Sequence, residues 1–166
     1  MHLIDHQTDR RPIAVTDAAF RRGGWQLPVL MAIAVAGLAI ALYLTVTHVS
    51  SVPLVCTIGS VVNCSAVTHS AYSVVLGSSI PISALGMVWF LVSGLLSVWA
   101  WARSDEPGWI RPAHLAWAVA GLAVVVYLVY VEIVILRQIC EWCTVLHLLI
   151  IATFVLTLRR VQQAAV

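Results

Sequence analysis

The sequence predicts an all-α integral membrane protein: a bundle of four transmembrane helices with an extracytoplasmic cap segment that could include a half-helix. Two observations support this fold class, the composition and the presence of four long apolar runs. Of the 166 residues, 61% are hydrophobic and only 10% are charged, whereas soluble domains carry about 25% charged residues. A soluble fold of this length could not cover its surface with so few charged side chains, so we expect lipid to surround most of it.

Each apolar run is long enough to cross the hydrocarbon core of a bilayer, which takes roughly 20 helical residues. The predicted spans are about 27–47, 80–102, 113–136 and 142–158. Proline stands at the start of the first two spans, where a helix tolerates it in the first turn. Tryptophans lie near the predicted ends, as they do in the aromatic belts of membrane proteins: Trp25, Trp99, Trp101, Trp109 and Trp142.

The basic residues, all of them arginine, predict the orientation. With four spans, only Arg137 falls on the side opposite the other arginines, and the side rich in basic residues is cytoplasmic. We therefore expect a cytoplasmic N-terminal segment over 1–24, one four-helix domain over 25–160 and a cytoplasmic tail over 161–166, with the loop 49–79 facing outward. The first apolar run is too long for the core of a cleavable signal peptide, so we interpret it as a retained span.

The four cysteines all fall on the predicted outer side. Cys56 and Cys64 lie in the outer loop, and Cys140 and Cys143 lie at the outer end of the fourth span. Extracytoplasmic compartments are oxidising, so thiols there are usually disulfide-bonded or in redox use. The distribution therefore indicates disulfide chemistry on that side.

The Cys140-Glu141-Trp142-Cys143 motif has the spacing and the position of a redox pair. At a helix start, the free backbone N–H groups and the helix dipole favour a thiolate. A thiolate is the attacking group in disulfide exchange. The outer pair, with seven intervening residues and a turn-forming Gly59, could carry electrons from an outside partner to this pair. The resulting hypothesis is a relay that ends at an electron acceptor dissolved in the lipid.

Two other interpretations of the cysteines are a membrane subunit with two structural disulfides and a thiol-based soft-metal transporter. A C-x-x-C disulfide closes almost no loop, so it stabilises a fold poorly. A transporter should place thiols or other polar groups along a path through the bilayer, and here the cysteines keep to one face. We therefore assign no metal ligands. The chain has no nucleic-acid-binding motif, and we expect no nucleic-acid partner.

The arrangement of the motifs resembles the vitamin K epoxide reductase family, in its short bacterial form without a fused thioredoxin-like domain. The resemblance covers about residues 27–158 and depends partly on the order of the two cysteine pairs, with C-x-x-C last. The residues that carry it are Cys56-x7-Cys64, Ser70, the Leu76-Gly77 to Pro81 entry into the second span, and Cys140-x-x-Cys143.

By that resemblance, the protein is a quinone-linked thiol–disulfide oxidoreductase that reoxidises a separate DsbA-like thioredoxin-fold partner. Cys56 would form the mixed disulfide with the partner, Cys64 would exchange with Cys140, and Cys143 would face the quinone. The acceptor would be menaquinone or ubiquinone. The chain would lie in the cell inner (plasma) membrane as a multi-pass protein, with both termini cytoplasmic and the active cysteines extracytoplasmic.

The resemblance also implies a quinone site formed by Ser70, Thr144 and His147. His147 falls one helical turn after Cys143, where vertebrate members carry a tyrosine that binds the quinone carbonyl. An imidazole could donate the same hydrogen bond or supply a proton, and the change favours a plain quinone over vitamin K epoxide. Glu132 is the one carboxylate inside a predicted span, and we expect it near the membrane interface.

Overall fold

The structure is a computed structural model that describes residues 24–50, 52, 54–56, 59, 61–75, 78–103 and 107–164. Helices account for most of this part of the chain, and four of them are long and apolar enough to cross a membrane. The elements in order are α1 (Gln26–Ser50), α2 (Cys64–Thr68), α3 (Ile82–Ala102), α4 (Ile110–Tyr130), a π-helical turn (Val131–Leu136) and α5 (Glu141–Ala164). The predicted all-α, four-span membrane architecture is confirmed.

Three of the four spans are longer than predicted, and the one formed by α4 and the π-helical turn begins at Ile110, before the predicted start at 113. α1 continues to Ser50 and α5 to Ala164, beyond the predicted ends at 47 and 158. The difference arises because hydropathy marks where a chain leaves the hydrocarbon, whereas backbone hydrogen bonds can continue a helix into the interface. Most of the predicted 1–24 segment, the Leu76-Gly77 pair and the last two residues lie outside the described part of the chain.

The long helices pack antiparallel, so alternate ends meet at each side of the bundle. At one end, the Thr45 hydroxyl at the end of α1 donates to the Ser83 hydroxyl at the start of α3 (2.9 Å). At the other end, Leu27, Ala100 and Ile110 share one buried cluster. The first of these ends also holds the start of α5 and all four cysteines, and it is called the cysteine end below.

Close packing of aromatic rings on small residues holds the middle of the bundle. A side chain at Gly37 of α1 would overlap the ring of Phe90 in α3, so this crossing requires glycine. Trp89 and Trp117 join α3 to α4 through reciprocal bonds, in which each indole N–H donates to the other residue's carbonyl at 3.2 Å. These bonds satisfy both indole groups, which would otherwise be costly to bury in a membrane.

The turn between α4 and α5 is built by an unusual helix end. The π-helical turn follows α4 directly, and Arg137 ends it in the left-handed conformation (φ 53°). The backbone N–H groups of Arg137 and Gln138 donate to the Glu132 carbonyl, which closes the turn in the manner of a left-handed helix cap. The chain therefore reverses within a few residues and brings Cys140 back beside the end of α4.

Candidate active site

A short backbone bridge brings the two cysteine pairs together at the cysteine end. Val62 and Ile139 form an isolated parallel bridge, in which Ile139 N–H donates to Val61 O (2.9 Å) and Asn63 N–H donates to Ile139 O (3.1 Å). The bridged segments are followed at once by Cys64 and Cys140. The bridge therefore sets the cap segment in register with the start of α5.

All four sulfurs belong to one buried cluster. Cys64, Val67 and Cys140 form its core, and Cys56 and Cys143 pack against it. Cys56 and Cys64 are joined in a disulfide, whereas Cys140 and Cys143 are free thiols. The structure thus brings together the four cysteines singled out from the sequence, with one pair oxidised and the other reduced.

Cys140 directly precedes α5, so its sulfur can accept hydrogen bonds from the start of the helix. The Cys143 thiol donates to it (2.7 Å), as does the Cys143 backbone N–H (3.3 Å). The pKa of Cys140 is lowered, and the largest cause is the hydrogen bond from the Cys143 side chain. The backbone N–H of Trp142 lowers this pKa further, whereas burial and the nearby Glu132 carboxylate raise it. Cys140 is therefore the better nucleophile of the reduced pair.

Aromatic contacts hold the cap segment that carries Cys56. The Trp142 indole donates to Val55 O (2.9 Å), the Val55 N–H donates to the Tyr43 hydroxyl (3.3 Å), and the two rings meet edge to face at 5.3 Å. Cys56 Sγ lies 3.9 Å from a carboxylate oxygen of Glu141. Trp142 is thus more than a spacer in the C-x-x-C motif, because it ties the Cys56 segment to α5.

An apolar cavity of about 340 Å³ lies beside the reduced pair, between α1, α3, α4 and α5. Its volume falls in the range of small-molecule sites, which is about 300–1,000 Å³. Cys143, His147 and Ser70 line it; Cys140 and Thr144 are not among the described residues that do so. The remaining walls are mostly aliphatic and aromatic, and among them are Leu44, Pro81, Trp89, Phe90, Trp117, Val125, Leu146 and Ile150.

The three residues predicted for the quinone site have different surroundings. His147 is buried and lies one helical turn from Cys143, as its spacing predicted. Ser70 lines the cavity from the cap, and its hydroxyl donates to Val67 O (2.8 Å). The Thr144 hydroxyl instead donates to Cys140 O (3.0 Å). Thr144 therefore contacts the backbone of the redox pair rather than the cavity.

The cap closes over the cavity through histidine contacts. His48 at the end of α1 lines the cavity, and its Nδ1 donates to the carbonyl of Thr68 (2.8 Å). Its ring stacks on that of His69, with 5.5 Å between the ring centroids. These contacts attach α2, and therefore Cys64, to the end of α1.

Glu132 is a site residue whose role the sequence did not predict. Its side chain is buried and lines the cavity, and its carboxylate accepts a hydrogen bond from the backbone N–H of Cys140. A lone carboxylate in a predicted span is itself a signal of function, because such residues are costly in lipid. The spacing to the cysteines gave no hint of the contact, since the π-helical turn and the left-handed Arg137 create it.

The model of the vitamin K epoxide reductase family matches residues 28–158, a range that contains all four cysteines and most of every helix around the cavity. A search of curated proteins found no match. Among the described residues, no three His, Cys, Asp or Glu side chains are arranged to hold a metal ion.

Proposed function

This chain belongs to the vitamin K epoxide reductase family, and from that premise we propose that it oxidises a thioredoxin-fold partner and transfers the electrons to a quinone. The family makes it a membrane thiol–disulfide oxidoreductase. The partner we propose is a separate DsbA-like protein, and the acceptor is a plain quinone such as menaquinone or ubiquinone.

The observation that carries the proposal is the cluster of four sulfurs beside an apolar cavity. Cys64 and Cys140 share one buried cluster, while Cys56 is only partly buried and Cys143 lines the cavity. This order supports a relay from a partner at Cys56 to an acceptor at Cys143. Two unrelated structural disulfides would not need to meet in one cluster next to a ligand-sized cavity.

Electrons would pass through the relay by successive disulfide exchange. A partner thiolate attacks Cys56, which forms a mixed disulfide and releases the Cys64 thiolate. The partner's second thiol then attacks the partner sulfur of that bond, which closes the partner's own disulfide and releases Cys56, so both outer cysteines are reduced. The Cys64 thiolate attacks Cys140 of the inner disulfide, and Cys56 then closes the outer disulfide again. This leaves Cys140 and Cys143 reduced, the state present in the structure. In the last step, Cys143 and Cys140 lose two electrons and two protons as their disulfide forms.

The cavity fits a quinone head group in size and in chemistry. A quinone supplies a two-electron, two-proton acceptor, and the apolar walls suit a ring carried on a lipid-soluble tail. His147 is the side chain that we propose to hydrogen-bond a quinone carbonyl, since it is buried and lines the cavity with Cys143. Ser70 would support the cap edge of the site, and Thr144 would support the Cys140 backbone.

We further propose that the protein lies in the cell inner (plasma) membrane, with both termini cytoplasmic and the cysteine end extracytoplasmic. The arginines on the side opposite the cysteines support this orientation by the positive-inside rule. An oxidising compartment on the cysteine side would also suit the exchange chemistry.

The decisive experiment is quinone reduction by the purified protein with a dithiol donor, in wild type and in Cys143→Ser. Turnover in the wild type and its loss in the variant are expected, because the variant cannot form the inner disulfide. A suitable control is Val145→Ala, since Val145 is an exposed side chain on α5 outside the cavity lining, and this variant should retain turnover. Absence of turnover in the wild type with both menaquinone and ubiquinone analogues would refute the proposal.

A further inference from the structure

Glu132 has a position that neither the relay nor the quinone site explains. It is a buried carboxylate in a membrane-spanning segment, where an ionisable group is expensive to keep. It is held there by the π-helical turn, whose closing hydrogen bonds use the Glu132 carbonyl. The backbone thus directs its side chain toward the start of α5 instead of toward lipid.

The carboxylate contacts both Cys140 and the cavity. It accepts the backbone N–H of Cys140, and it lines the same cavity as Cys143. Both thiols are close enough to respond to its charge. The other titratable groups that line the cavity, among the described residues, are His147 on α5, His48 on α1 and Tyr72 in the cap. Of these acids and bases, Glu132 is the one with a bond to Cys140.

We propose that Glu132 is the proton carrier between the inner thiols and the quinone. The inference rests on the proposed quinone reduction. As the Cys140–Cys143 disulfide forms, two S–H bonds break and two electrons leave the pair. Glu132 takes each thiol proton in turn and releases it into the cavity, where the reduced quinone gains two O–H bonds. The Cys143 thiol donates to the Cys140 sulfur, and Glu132 contacts the backbone of the same Cys140, so the carboxylate lies beside the residue at which both thiols meet.

The chemistry needs a proton-carrying group beside the thiols, because most of the cavity wall is apolar and His147 is the side chain proposed to hydrogen-bond the quinone carbonyl. Two protons must follow the two electrons, and the aliphatic and aromatic side chains around Cys143 cannot move them. Positioned acid–base groups typically contribute about 10²–10⁴-fold to a rate. Glu132 combines a contact with Cys140 and a place in the cavity wall, which is what a proton carrier between the thiols and the acceptor needs.

The test compares Glu132→Gln with Glu132→Asp. Glutamine keeps a carbonyl oxygen that can accept the Cys140 N–H but cannot carry a proton, whereas aspartate keeps the carboxyl group. We expect quinone reduction to fall about 10²-fold or more in Glu132→Gln and to recover in part in Glu132→Asp. Exchange between the two cysteine pairs, followed by thiol trapping without quinone, should not be slowed in either variant, because loss of the Glu132 charge makes the Cys140 thiolate easier to form.

A second measurement needs no quinone. Infrared difference spectra between the oxidised and reduced protein, poised with dithiol buffers, should contain a carboxyl C=O band that Glu132→Gln abolishes. Glu141→Gln removes the exposed carboxylate inside the C-x-x-C motif and should retain the band.

The outcomes separate this inference from the proposed function. If the wild type reduces no quinone, the proposed function fails. If the wild type is active and Glu132→Gln matches it in turnover and in the infrared spectrum, Glu132 carries no proton and the inference is wrong. Slow exchange between the cysteine pairs in Glu132→Gln would show a positioning role instead and would likewise overturn it.

Discussion

Replacing Asn63 by alanine should loosen the short helix that holds Cys64 against Cys140. Asn63 is the N-cap of α2, and its side-chain oxygen accepts the Ala66 N–H at 3.0 Å. The helix has only five residues, so it depends on this cap more than a long helix would. Loss of an N-cap side chain costs about 0.5–2 kcal/mol, which corresponds to a rise of roughly 2- to 30-fold in the local opening constant.

Hydrogen–deuterium exchange measures this opening directly, because protected amides exchange when the local structure opens. The amides to follow are those of Val67 and His69, which donate to Asn63 O (3.3 Å) and Ser65 O (3.1 Å). Asn63→Ser is the matched control, since serine also caps helices and both variants keep the backbone bond from residue 63 to Ile139. Equal exchange rates in the alanine and serine variants would refute the argument that the cap side chain stabilises α2.

Three further predictions concern the redox pair and its supports. Cys143→Ala removes the hydrogen bond that most lowers the pKa of Cys140, so the ultraviolet absorbance of the Cys140 thiolate should appear at higher pH than in the wild type. An unchanged midpoint of this pH titration would contradict the assigned cause. Trp142→Phe keeps the ring but loses the bond to the cap carbonyl. It should therefore cost about 0.5–1.5 kcal/mol of local stability and increase alkylation of the dithiol-reduced outer pair, whereas unaltered labelling would argue against the tether. Gly37→Val should lower the free energy of unfolding by about 1–3 kcal/mol, because the added side chain overlaps the ring of Phe90 in α3. The control Gly108→Ala has open space around the added carbon and should have the melting temperature of the wild type.

The architecture could be predicted from sequence because it depends on local properties. The length and apolarity of each run decide that it spans a bilayer as a helix. Four consecutive spans then place the loop with Cys56 and Cys64 at the same end as the Cys140 motif, whatever the packing. The pairing of Cys56 with Cys64 in the structure agrees with the relay drawn from that arrangement.

The position of His147 was also predictable, since residues four apart lie on one face of a helix. Once the C-x-x-C motif is placed at the start of α5, the histidine must lie one turn deeper. Thr144 shows the limit of this argument. Its spacing alone does not reveal that its hydroxyl bonds to the Cys140 carbonyl, because a threonine in a helix can return its hydroxyl to the preceding turn.

Tertiary structure alone decided how the site is assembled. The bridge between Val62 and Ile139 joins segments more than seventy residues apart in the printed sequence, and no local pattern specifies it. The contact of Glu132 with Cys140 depends on the π-helical turn and the left-handed Arg137, which break the regular helical spacing that a sequence pattern assumes. Hydropathy and helical periodicity are properties of one segment at a time, whereas the proposed relay and proton route require atoms from several segments close together, and only packing brings those atoms together.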